Sequence, residues 1–155
     1  MTVQALTLPT AERREHSAAV ALNVLEHIED DLAAVQAVAG LVRPGGAVVL
    51  IVPAFPSAMS RFDRSVGHAR RYTRRSLSTV LTAAGLELHD VRYVNPIGLL
   101  NWYLICTLLG SFPRNGVVLR GYDRLVVPLA RRLERRWRPP FGQSIFAVAH
   151  RPCPG

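Results

Sequence analysis

Asn23, Glu26 and His27 lie within five residues of one another in "LNVLEHIEDD", Leu22 to Asp31. Each is chemically capable. An imidazole titrates near neutral pH and can take a proton from a hydroxyl. A carboxylate beside it can orient the ring. A second group stands in "RFDRSVGHARRY". There His68 and Tyr72 flank Arg70 and Arg71, and an arginine can hold an acidic group through two parallel hydrogen bonds. Both groups also have a plain structural reading. A Glu beside a helix N-terminus is favourable through the dipole, His27 can be solvated, and arginine runs usually face water.

The flanking segments set where these side chains stand. "AAVAL" (Ala18–Leu22) is short and continuously apolar, as a strand covered on both faces would be. Asp30 can cap a helix whose stripe is Leu32, Val35, Val38, Ala39 and Leu41. "RPGG" should stop that helix. "AVVLIVP" (Ala47–Pro53) again suits a doubly covered strand, and a loop runs on to Tyr72. Thr73 caps a helix through Ala84, with Leu77, Val80 and Leu81 facing in and Gly85 ending it. "LELHDVRYV" alternates like a strand with one wetter face. Ile97–Leu109 and Tyr122–Trp137 read as helices, and "SIFAVAHR" (Ser144–Arg151) as a closing strand. Val3–Leu8 suits a short strand. Alternating strands and helices imply an α/β fold with a parallel-type sheet. Ligands bind beyond the carboxyl ends of such strands, which is where Asn23, Glu26 and His27 fall.

Composition narrows the setting. The 155 residues are 49% apolar with a net charge of +8, which excludes a disordered chain. Every basic residue is Arg. The charge favours acidic partners without choosing among them. Cys106 and Cys153 have no metal or redox spacing, so a reducing, cytoplasmic setting is expected. The N-terminus lacks the apolar segment of a signal peptide. The run Ile97–Phe112 is short for a membrane span. No recognition motif points to nucleic acid.

Taken together, "ALNVLEHIEDD", "LVRPGGAVVLIVPAFP" and "GHARRYTRRSL…AAGLE" resemble the C-terminal half of class I S-adenosylmethionine-dependent methyltransferases, from Ser17 to Arg151. The resemblance implies a Rossmann-like fold, incomplete, made of strands four to seven with a helical insertion over residues 95–137. It implies a last strand antiparallel between its neighbours. It places Asn23, Val24, Leu25 and Glu26 against the methyl donor, S-adenosylmethionine. His27 and His68 become the candidate bases, and Arg70, Arg71 and Tyr72 the acceptor side. No metal is assigned, because Asn23 stands where metal-binding members carry a carboxylate.

The resemblance also has gaps. No G-x-G occurs in the 155 residues, and the family's ribose-binding carboxylate has no counterpart. The expectation is a single, truncated methyltransferase domain over residues 1–155, acting on a small-molecule or lipid-like acceptor and binding the donor weakly alone. The strand Ala18–Leu22 lacks its usual partner, so self-association through that edge is expected. Two alternatives remain. One is a non-catalytic interaction module. The other is a peripheral membrane module, for which Leu125, Leu129, Leu133 and Trp137 form an apolar stripe beside Arg124, Arg131, Arg132, Arg135 and Arg136.

Overall fold

Six consecutive apolar residues, Ala47–Val52, form a central strand of a sheet. The computed structural model describes residues 15–102, 124, 128, 132 and 138–153. Its strands are β1 (His16–Leu22), β2 (Val42–Pro53), β3 (Glu87–Val94) and β4 (Ser144–His150). They lie in the order β1-β2-β4-β3. β1 and β2 are parallel, while β4 runs antiparallel to both β2 and β3. The mixed sheet with an antiparallel strand between its neighbours is the arrangement the family resemblance implies.

The helices follow local signals. Asp30 caps α1 (Asp31–Gly40), accepting from the Ala33 amide at 2.9 Å. α2 (Arg61–Ser65) and α3 (Arg74–Ala83) each open with a reciprocal capping box, Ser60 with Asp63 and Thr73 with Ser76. Gly85, at φ +81°, ends α3 in the left-handed region. α4 (Pro96–Trp102) begins the stretch expected as an insertion. Three-residue 3₁₀ turns sit at Leu25–His27 and Pro56–Ala58.

The core lies on one face of the sheet. Val48, Leu50 and Val52 of β2 and Ile145, Ala147 and Ala149 of β4 pack with Val35 of α1 and Leu77 and Leu81 of α3. All of these are buried. Removing the Val, Leu and Ile side chains of this set from water is worth about 1.5–3 kcal/mol each.

The structure departs from the sequence expectations in three places: the faces of β1 and β2, the role of "RPGG", and the loop after β2. β1 is not covered on both faces: Val20 is 63% and Leu22 54% exposed, while Ala19 and Ala21 pack on the core. The second face of β2 is half-buried. "RPGG" does not stop α1, which ends at Gly40, but belongs to β2. It makes an irregularity in the β1–β2 register, between the pairs His16–Val42 and Ala18–Ala47. A Cβ at Gly46 would lie 2.9 Å from the Ser17 carbonyl oxygen, so the strands approach too closely there for any larger residue. The loop expected from Ala54 to Tyr72 contains α2. Val3–Leu8, and the Tyr122–Trp137 helix apart from isolated positions, lie outside the described residues. Among the described residues, no helix is long and apolar enough to cross a membrane.

Candidate functional site

The site is built by two turns that follow the carboxyl ends of β1 and β2. After Leu22 the chain enters the left-handed region at Asn23, φ 52°, with the Asn23 amide donating to the Ile51 carbonyl at 2.8 Å. Asn is among the residues that tolerate this conformation. The 3₁₀ turn then sends Leu25 into the core and buries Glu26. His27 stays half-buried, its Nδ1 3.2 Å from the Gly67 carbonyl oxygen. Gly67 reaches that position at φ +84°, a conformation glycine adopts without strain.

The second turn is organised by Asp63, which is fully buried. Its Oδ2 accepts from the Ser60 amide at 2.7 Å and the Ser60 hydroxyl at 2.8 Å. Its Oδ1 accepts from Arg71 Nη2 at 2.8 Å and Arg71 Nε at 3.2 Å, and stands 2.9 Å from His68 Nδ1. Arg71 Nη1 donates to the Ala54 carbonyl at 3.1 Å. The Ala69 amide donates to the Glu26 carbonyl at 2.8 Å and ties the two turns together.

Hydrogen-bond partners fix the imidazole tautomers. A carboxylate and a carbonyl only accept, so His68 and His27 each carry a proton on Nδ1. In the neutral ring, Nε2 keeps its lone pair. The rings meet edge to face with centroids 4.6 Å apart. His68 Nε2 lies 3.9 Å from Glu26 Oε1. Burial pushes the Glu26 carboxyl above its ordinary range, against the pull of its own amide, His27 and Arg71. Burial also works against ionised Asp63, but Arg71 and Ser60 together outweigh it and hold the carboxyl below its ordinary range. His68 is lowered, first by burial, despite the opposing pull of Asp63.

The residues singled out in the sequence therefore separate into groups. Glu26, His27 and His68 converge. Asn23 and Val24 are exposed at the end of β1, whereas Leu25 faces the core. Arg70 is half-buried and pairs with Asp31 at 2.8 Å. Arg71 is 6% exposed, with its guanidinium turned inward to Asp63. Tyr72 is buried and donates to Asp31 at 2.9 Å. Its phenol is raised, first by burial and then by Asp31. Asp63 was not singled out. Its signal is S-x-x-D, Ser60 to Asp63, the pattern of a capping box.

Residues 4–91, more than half of the chain, match the family described as a methyltransferase domain. Three solved structures share the fold. One is the putative methyltransferase of Haloferax volcanii, solved with the Trm112 methyltransferase activator: 14% identity, TM-score 0.52, covering 90% of this chain and 55% of that one. Another is the cyclase SpnF: 21% identity, TM-score 0.54, covering 99% and 57%. The third is Haemonchus contortus phosphoethanolamine N-methyltransferase 2 with S-adenosyl-L-methionine: 15% identity, TM-score 0.51, covering 88% and 33%. The chain spans about half the length of the first two and a third of the last. No curated protein matches its sequence. Identities this low show the fold alone; the sequence match over residues 4–91 adds the family. The chain belongs to the class I S-adenosylmethionine-dependent methyltransferases.

Proposed function

We propose that the chain takes part in methyl transfer from S-adenosylmethionine to a small-molecule or lipid-like acceptor. The family match over residues 4–91 carries this reading. It spans the turn after β1, where the exposed Asn23 and Val24 stand at a strand's carboxyl end. Fold alone does not fix a reaction.

The donor is activated by its own sulfonium charge, so the protein's main task is alignment, which contributes roughly 7–11 kcal/mol at most. Asn23 and Val24 are the residues for direct donor contact. Leu25 and Glu26 support them from below. A hydroxyl acceptor needs a base. His68 suits that role, because its burial favours the neutral ring and Asp63 stabilises the imidazolium that forms. His27 is the second base. Arg70, the more exposed of the two arginines, is the residue for an acidic acceptor group, with Arg71 and Tyr72 holding the loop beneath it.

The 155 residues contain no G-x-G. Each charged hydrogen bond that such a loop and a ribose carboxylate would supply is worth about 1.5–3 kcal/mol, and each 1.4 kcal/mol lost weakens binding about tenfold, so donor binding by this chain alone should be roughly millimolar or weaker. Amide NMR titration with S-adenosylmethionine tests the assignment. Shifts confined to Asn23–His27 and the Gly67–Arg70 turn are expected. Shifts elsewhere only, or micromolar binding by calorimetry, would show that the donor site is misplaced.

A further inference from the structure

We propose that Glu26, His27 and His68 bind one divalent transition-metal ion, of the zinc or cobalt kind. One donor atom from each residue lies within 4.8 Å of the other two. Around a bound ion with bonds of about 2.0–2.2 Å, tetrahedral donors stand roughly 3.3–3.5 Å apart. Closing the set therefore takes side-chain movements of roughly 1 Å on that geometry.

Two independent features point to a ligand. The first is Glu26. It is 0% exposed, and both carboxylate oxygens lack a hydrogen-bond partner among the described residues. Buried polar groups in native proteins are almost always partnered, and a cation is a partner this cluster can accept. The second is the way the imidazoles are held. His27 Nδ1 stands against the Gly67 carbonyl oxygen and His68 Nδ1 against Asp63. A carbonyl or carboxylate on the far nitrogen is the usual support of a metal-bound histidine, because it fixes the tautomer and the ring. Both Nε2 lone pairs are left for the ion. Two imidazoles and a carboxylate suit zinc, cobalt, iron or nickel rather than magnesium or calcium, and three protein ligands leave a position for water.

The sequence assigns no metal, because it directs attention to position 23. The third ligand comes instead from the turn after α2, which only the fold brings near. Metal binding does not rest on the methyl-transfer reading. A bound ion would use the same lone pairs that make His27 and His68 candidate bases, so the loaded site and the free bases are alternative states.

Cobalt titration of the metal-free chain, followed by its visible d–d absorption, tests the site. One ion per chain is expected, displaced by zinc. His27→Ala, on a half-buried ring, and the isosteric Glu26→Gln should each weaken binding by at least about tenfold. His68→Ala should do the same. His89→Ala removes half of the other histidine pair, whose centroids are 5.4 Å apart, and should leave binding unchanged. Absence of stoichiometric binding would overturn the proposal. So would binding that survives His27→Ala and Glu26→Gln, or that His89→Ala abolishes.

Discussion

At the scale of the residue, the Asp63 carboxylate is shared between the Ser60 cap, the His68 ring and the Arg71 guanidinium. Arg71→Ala strands that charge in the interior. Breaking one side of a buried pair costs about 3–5 kcal/mol, and denaturant unfolding at neutral pH should show a loss of that order. Because the Asp63 carboxyl is held low, its stabilisation is present above its ordinary value of 3.8 and is lost as pH falls through the lowered one. Arg71→Ala should flatten that acid limb. Glu26 has the opposite sign. Its carboxyl is raised from 4.5, so stability is full below 4.5 and lost as pH rises through the raised value. In the metal-free chain, Glu26→Gln should unfold at higher denaturant than the parent near pH 7–8, by about 1–3 kcal/mol, with the two converging near pH 4. Glu26 and His27 were legible as polar residues in an apolar strand's exit turn, and His68 as part of the charged stretch "RFDRSVGHARRY" beyond the next strand. Asp63 was not, since a charged loop reads as solvated until its cap is recognised. The inward turn of Arg71 depends on Asp63, eight residues earlier and across the α2 turn, and that of Tyr72 on Asp31, forty-one residues away.

At the scale of the element, α3 shows how far local signals reach. The Ser76 amide donates to Thr73 Oγ1 at 3.0 Å, and the Thr73 amide to Ser76 Oγ at 2.9 Å. Thr73→Ala should cost about 1 kcal/mol, read as a lower urea midpoint at unchanged slope. The Thr73 cap, the inward face and the left-handed Gly85 were legible, because each acts within a few residues; the answering Ser76 was not singled out. β1 and β2 were legible as strands and misread in their surroundings. A continuous apolar run identifies a strand, but whether its second face is covered depends on what lies across the sheet. "RPGG" was misread for a related reason. The same residues that break a helix also allow a register irregularity, and the deciding contact, Gly46 against Ser17, comes from another strand.

At the scale of the molecule, β1 is the edge strand of the described sheet and pairs only with β2. Val20 and Leu22 on β1 and Val24 just after it are exposed. Open strand edges and contiguous apolar surface both favour association, so light scattering should find the purified chain self-associated. Val20→Lys should shift it toward monomer. A parent chain that is monodisperse and monomeric would show that this edge does not mediate association. The opposite side of the sheet has its own consequence, which concerns synthesis. β4 lies between β2 and β3, yet it is the last of the described strands to be made. Until residue 150 has left the ribosome, β3 has no strand beside it, and one edge of β2 stays open. At ~5–20 residues per second, that interval lasts roughly 5–20 s after β2 emerges. The sheet therefore closes in a single late event, and a nascent chain stalled before Ser144 should remain a client for chaperones, however well its helices have formed.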